Sequence, residues 1–364
     1  MLMRLFPSRT IAWYTARMFL VRTAAFIVGL VLILQSLDLL SESGKILAAA
    51  GNSEADLWTY IGMRTPQIVQ LFLPFSALLA TLVTLATLNQ NSEVVIFKAA
   101  GISAHQILAP LILAALAIAG ANFVFNEAVT TDATRRLKAW QAVDYRKNVP
   151  VAAVPGGNWV RGGNDLFHAD AVAGTGNATR LMGVTIYDRE QNKLTEVVMA
   201  ASAQPIEGGW RLTEVRRFDV ARGIITTAST LDFATSVVPR QFTTTTLKPD
   251  WVPFWDLWPQ IAEQRAAGKA TETLEAAAWH KITGPLSTVL MPLLGAVAAF
   301  GLARSGRLFV RAVIGMALGF AFFVADNFAL AMGNFGTVPP FMAAWAPFLL
   351  FLLIGEAVLI RTEE

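Results

Sequence analysis

The stretch LFLPFSALLATLVTLATLNQNSEVVIFKAAGIS, residues 71–103, decides how the chain is built. Its first part belongs to an apolar run, 66–88, long enough for the roughly 20 residues a helix needs to cross a hydrocarbon core of about 30 Å. Asn89, Gln90 and Asn91 break that run, and an amphipathic segment follows up to Ala100. Asn91 or Ser92 suits the cap of a short helix, Glu93 in the first turn complements the helix dipole, and Gly101 suits its end. Two readings fit this spacing: a solvated turn between two spans, or a coupling helix that docks into a cytoplasmic motor through its exposed acid and its apolar face.

On either side the same length criterion finds five more spans, near 20–40, 105–126, 282–302, 309–331 and 339–360. The fold class is therefore membrane α-helical, six transmembrane helices in a 3+3 arrangement around one large insertion. Arg4, Arg9, Arg17 and Arg22 precede the first span, Lys98 follows the second, Arg304, Arg307 and Arg311 follow the fourth, and Arg361 follows the sixth. All of these fall on one side, whereas the loop 41–65 has no basic excess, so the positive-inside rule places both termini in the cytoplasm and the insertion outside. The basic start resembles the n-region of a signal peptide, but its apolar run continues without a small-residue cleavage site; a spanning helix that begins along the inner interface is expected instead.

Between about Val149 and Lys248 the pattern changes to short alternating runs: WVRGGNDLFHADAV, MGVTIYDRE, KLTEVVMAAS, WRLTEVRRFDV and ITTASTLDF. These are expected strands of an antiparallel, jelly-roll-like domain, with turns at Gly156-Gly157, Gly162-Gly163, Gly208-Gly209 and DREQNK. From Phe254 to Ala278 a helical connector leads back to the membrane. The expected domains are 1–130, an N-terminal transmembrane block with a coupling helix near 91–101; 131–278, the β-rich domain with helical connectors; and 279–364, a C-terminal transmembrane block.

Composition agrees: 54% of residues are hydrophobic and 15% charged, with mean hydropathy +0.50. The net charge of +3 is spread over loop ends, which argues against nucleic acid as a partner. Without cysteine, disulfides and thiolate sites are excluded. The histidines His105, His168 and His280 are scattered, which disfavours a metal cluster, and Asp165 with His168 lacks a nucleophile. GKILAAAG and GRLFVRA lack the rest of a phosphate loop, so no ATPase site is expected in the chain. Asp38, Asp326 and Asn327 are the polar groups nearest span interiors; each suits either a neighbouring helix or a simple interfacial position.

Residues 71–103, with their proline-containing span, S-E pair and A-x-G-I-S turn, resemble the LptF/LptG family of lipopolysaccharide export permeases. WHKITGPLS, FVADNF and GTVPPFMAAWAP are similar to the family's last three helices, the latter two on its LptG side. The resemblance implies an ABC transporter permease subunit paired with LptF, driven by two copies of the ATPase LptB, joined by LptC and followed by the LptA bridge. It implies extraction of lipopolysaccharide from the outer leaflet of the Gram-negative inner membrane into a periplasmic jelly roll. No catalytic residue, metal or cofactor is implied.

Ser92, Glu93, Phe97 and Gly101 become the expected ATPase-coupling residues. For an anionic glycolipid the headgroup candidates are Lys45, Arg64, Arg135, Arg136 and Lys138, and Phe72 and Phe75 are candidates to face acyl chains. Interfacial snorkelling accounts for the same basic residues without a ligand. One departure stands out: LILQSLDLLSESGK carries Gln35, Ser41 and Glu42 where the family often has lysines, which implies a poorer charge match to lipid A phosphates. Two other classes remain open: a different force-transmitting ABC membrane subunit, and a membrane-anchored enzyme or sensor, which would need a convergent acid, base and nucleophile set.

Overall fold

The structure, a computed structural model, describes residues 8–49, 51–146, 154–173, 178–190, 193–239, 242, 249–266, 270–300 and 308–363. Arg4, Arg304 and Arg307, and residues 191 and 192 of the expected DREQNK turn, lie outside them. The chain runs α1 (Arg9–Ala48), α2 (Glu54–Gln90), α3 (Glu93–Ala99), α4 (Ala104–Phe125), a π-helical turn (Asn126–Thr130) and α5 (Thr131–Ala142). Six strands follow: β1 (Val154–Gly162), β2 (Asp165–Ala173), β3 (Arg180–Glu190), β4 (Lys193–Ile206), β5 (Gly209–Asp219) and β6 (Ile224–Ala234). It ends with α6 (Phe254–Ala266), α7 (Glu272–Phe300), α8 (Leu308–Asn334) and α9 (Pro340–Glu363). Among the described residues, six helices are long and apolar enough to cross a membrane, three before the sheet and three after it.

The chain divides into two compact units. The first comprises Met1–Asp38, Arg64–Asp132 and Lys248–Glu364. Its core is made by Leu78, Leu85 and Leu88 of α2, Ile107, Leu108 and Leu111 of α4, and Leu290, Leu293 and Leu294 of α7, with Phe322 of α8 and Phe348 of α9 beside them. Lipid chains are as apolar as leucine, so helices in a membrane associate through close packing, and small residues make that possible. A Cβ on Gly295 of α7 would lie 2.7 Å from the Thr81 Cγ2 of α2, and one on Gly315 of α8 would lie 2.6 Å from the Leu82 Cδ2. Neither position tolerates alanine without a shift of its neighbour. On the other faces, Leu32, Ile33 and Leu37 of α1, Phe320 and Phe328 of α8, and Leu353 of α9 are exposed, as lipid-facing side chains should be.

The second unit comprises Leu39–Met63 and Ala133–Leu247. Its helical part packs Ile46, Tyr60, Leu137 and Tyr145 together. The Tyr145 hydroxyl donates to Glu42 Oε2 at 2.7 Å, and the Asn52 amide donates to the carbonyls of Ile46 and Tyr145, both at 2.8 Å. Those bonds fix the turn between α1 and α2.

Its other part is one antiparallel sheet in the order β1-β2-β3-β4-β5-β6. The five runs of alternating residues fall on these strands, and the turns expected at Gly162-Gly163 and Gly208-Gly209 are present. The turn expected at Gly156-Gly157 is not a turn: both glycines lie within β1, where the register to β2 shifts between Pro155 and Asn158. Two residues without side chains can absorb an irregular register inside a strand, which local composition alone reads as a reversal. Phe167, Leu181, Ile186, Val198, Trp210 and Leu212 form the sheet's core. Beyond β6 the chain closes over it: the Trp210 Nε1–H donates to the Val237 carbonyl at 2.8 Å, and the Phe242 ring meets the Trp210 ring edge-on at 5.5 Å.

Candidate functional site

The polar break after α2 forms α3, a helix of seven residues with a different end at each side. Ser92 stands at its N-cap in the left-handed region, φ 58°, and its side chain makes no capping bond, contrary to the capping role expected of Asn91 or Ser92. A left-handed residue turns its side chain away from the helix amides, so the turn geometry overrides the cap preference. Asn91 instead donates its amide to Glu93 Oε1 at 3.2 Å, and the same oxygen accepts from the Tyr14 hydroxyl of α1 at 3.3 Å. At the other end Gly101 adopts φ 79°; its N–H donates to the Lys98 carbonyl and the Ile102 N–H to the Phe97 carbonyl, each at 3.0 Å. That is a Schellman closure, which needs a residue tolerant of positive φ. Ser103 and Gln106 then form a reciprocal capping box that starts α4.

Within α3 the faces divide. Val94 is buried and Phe97 packs against the membrane core, whereas Val95 and Ile96 are 61% and 62% exposed. The apolar surface that α3 offers to anything outside the chain is thus Val95–Ile96, and Phe97 anchors the helix to its own protein. Lys98 lies over the Phe300 ring at 5.8 Å.

Two expected sites merge at the other ends of α1 and α2. Arg64, a headgroup candidate, grips Asp38, an intramembrane polar candidate, through Nε to Oδ2 at 3.2 Å and Nη2 to Oδ1 at 3.1 Å. Its remaining Nη1 donates to Gln67 Oε1 at 2.7 Å, and Gln35 accepts from Thr65 at 3.3 Å. The guanidinium is therefore committed within the chain. Lys45 pairs with Glu42 at 2.9 Å, while Arg135, Arg136 and Lys138 project outward from α5 around the buried Leu137. Phe72 and Phe75 are half-buried, the Phe75 ring meeting Phe323 of α8 edge-on at 5.4 Å. Asp326 bonds His280 of α7 at 3.0 Å, and Asn327 donates to the Phe323 carbonyl of its own helix. In the sheet, Asp165 accepts from the Arg189 N–H, and the His168 ring lies tilted against Trp159, centroids 4.7 Å apart, with Nδ1 at 3.6 Å from Asp170. Burial pushes the Asp170 carboxyl above its usual range, with His168 opposing that shift.

One nearly buried charge pair was not among the expected sites. Lys281 Nζ of α7 pairs with Glu127 Oε1 at 2.8 Å, the two side chains being only 10% and 7% exposed. Glu127 belongs to the π-helical turn, and its other oxygen accepts the Phe254 N–H that opens α6. One carboxylate thereby joins the end of the third span, the start of α6 and the base of α7. The available signal was a lone acid just past one span and a lone lysine at the edge of another.

Residues 13–361 match the family described as lipopolysaccharide export system permease LptF/LptG. The chain belongs to the LptF/LptG family of lipopolysaccharide export permeases. It is similar to the lipopolysaccharide export system permease protein LptG of Escherichia coli (strain K12), 28% identical over 308 residues that cover 83% of this chain and 84% of that protein. It is also similar to the LptG of Haemophilus influenzae, 26% identical over 336 residues covering 87% and 89%. As an LptF/LptG permease it is a multi-pass inner-membrane transport subunit and not an enzyme. Family membership and the inserted antiparallel sheet agree with the reading of residues 71–103, 279–287, 323–328 and 336–347.

Proposed function

We propose that this permease subunit pairs with an LptF partner, is driven by an LptB ATPase dimer docked on α3, and lifts lipopolysaccharide from the outer leaflet of the inner membrane toward LptC and the LptA bridge. Both termini then face the cytoplasm and the β-rich domain faces the periplasm. The observation that carries this reading is α3 itself. A seven-residue helix closed by Gly101, held to α1 through Glu93 and Tyr14 and anchored inward by Val94 and Phe97, offers Val95 and Ile96 outward as a rigid knob. A solvated turn has no use for two exposed β-branched side chains on a helix fixed at both ends. Lys45, Arg135, Arg136 and Lys138 support a headgroup role, since they belong to one compact unit and all but the paired Lys45 lie on a single helix.

The test is Val95→Asp together with Ile96→Asp in the reconstituted complex. Both side chains are exposed, so the subunit itself should fold and insert normally. An anchor residue at an interface is worth about 2 kcal/mol or more, so ATPase capture should fall by about thirty-fold or more. Normal ATPase stoichiometry with normal lipopolysaccharide release would refute docking at α3.

A further inference from the structure

α6 has three faces rather than two. At about 100° per residue, Leu257 and Ile261 share one sector and are buried against the protein. Trp255, Trp258, Pro259 and Ala262 fall together in a second sector, and all four are exposed, Trp255 at 65%. Asp256 and Glu263 fall in a third, also exposed. A helix that met only protein and water would have no reason to separate an exposed aromatic sector from an exposed acidic one.

The aromatic sector is continuous with the ends of three spans. Phe254 and Trp255 lie 5.9 and 6.2 Å from Phe123 in the last turn of α4, and Trp258 lies 5.4 Å from Trp279 in the early part of α7. Trp279 in turn lies 5.1 Å from Phe341 at the start of α9. The end of α4, the start of α7 and the start of α9 lie on the same side of the bilayer by parity, because no span intervenes between the first two and two spans separate the last pair. Tryptophan is enriched where a membrane meets water, because its ring is apolar and its N–H is not. The Glu127 carboxylate, bonded to the first N–H of α6, fixes the helix at this level.

We propose that α6 is an interfacial helix: it lies in the headgroup layer of the membrane on the side where α4 ends and α7 begins, with Trp255 and Trp258 set into the lipid and Asp256 and Glu263 turned to water. The ligand is the host bilayer's own lipid, met as a surface. The placement follows from span parity and ring contacts and does not depend on what the permease transports.

The native absence of cysteine makes the test direct. Spin labels are attached to Ala262→Cys and, separately, to Glu263→Cys in the full chain, in proteoliposomes of phosphatidylethanolamine and phosphatidylglycerol. Collision with oxygen, which favours lipid, is compared with collision with a water-soluble nickel chelate; Leu353→Cys gives the lipid reference and Thr226→Cys the water reference. The expected shift is toward oxygen at 262 and toward nickel at 263. Nickel-favoured collisions at both positions would mean that α6 stands clear of the bilayer, and oxygen-favoured collisions at both would mean that it is immersed; either overturns the proposal. An independent readout leaves the labelled positions native: Trp255→Phe with Trp258→Phe should reduce the fraction of tryptophan emission quenched by brominated phospholipid. An unchanged fraction would count against the inference.

Discussion

Replacing Lys281 by methionine breaks one side of a nearly buried charge pair. Methionine keeps most of the lysine's length and removes its charge, so the Glu127 carboxylate is left 7% exposed with neutral donors, the Phe254 N–H and, at 3.5 Å, the Asn126 amide, in place of the ammonium. Breaking one side of a buried pair costs about 3–5 kcal/mol, because the surviving charge keeps its desolvation penalty without the attraction that offset it. The Arg265–Glu275 pair, 2.6 Å apart but with the arginine 66% exposed, provides the contrast. Arg265→Met should cost about 0–1 kcal/mol. If the penalty in Lys281→Met comes from the stranded charge, removing that charge as well should recover much of it. The double variant Glu127→Leu, Lys281→Met then retains mainly the loss of an acceptor for the Phe254 N–H, about 1–3 kcal/mol. The expected order of destabilisation is Lys281→Met, then the double variant, then Arg265→Met. Unfolding by sodium dodecyl sulfate in mixed micelles, followed by tryptophan emission as a double-mutant cycle, reads that order. A Lys281→Met loss no greater than that of Arg265→Met, or a double variant worse than Lys281→Met, would refute the reasoning.

Two further outcomes bear on transport. Arg136→Glu with Lys138→Glu reverses two exposed charges on α5 without touching the buried Leu137, so crosslinking of lipopolysaccharide to the assembled complex should fall while assembly persists; unchanged crosslinking leaves snorkelling as the whole role of these residues. A single cysteine at Thr226 on the exposed β6 should react with a membrane-impermeant maleimide in spheroplasts and one at Ile96 should not, and the reverse pattern would invert the proposed topology.

The spans were legible because hydropathy reports the hydrocarbon core, but it reports little else. The first expected span, 20–40, is the middle of a helix that runs from Arg9 to Ala48, and the second, 66–88, sits inside Glu54–Gln90. Their polar ends pass beyond the apolar run as continuous helix, which no average over apolar residues can register. Gly101 was readable because its helix-stopping role is local. The missing capping bond of Ser92 is not legible in the sequence, because its positive φ follows from the path between α2 and α3 rather than from its own preference. Arg64 is legible as a headgroup candidate and Asp38 as a polar group near a span interior, yet their mutual grip joins residues 26 apart, and Glu127 with Lys281 joins residues 154 apart. Long-range pairing of charges leaves no periodicity in one sequence. The π-helical turn that carries Glu127 is equally silent, since it consists of ordinary residues in one wider turn.

The strand order of the β-rich domain has a consequence for how the protein is made. Among the described residues, each strand bonds only to the strands immediately before and after it in the chain, from β1 to β6 without a crossover. Such local pairings close quickly, because each needs only a short loop to form. A hairpin can therefore zip as soon as its second strand has been synthesised and is free to pair. The Trp210 N–H must wait for Val237, and Phe242 arrives later still, so the lid over the core is the last part to be synthesised and the last to settle. All six strands precede α7 in the chain, so the sheet can be substantially folded before the second helical block is complete.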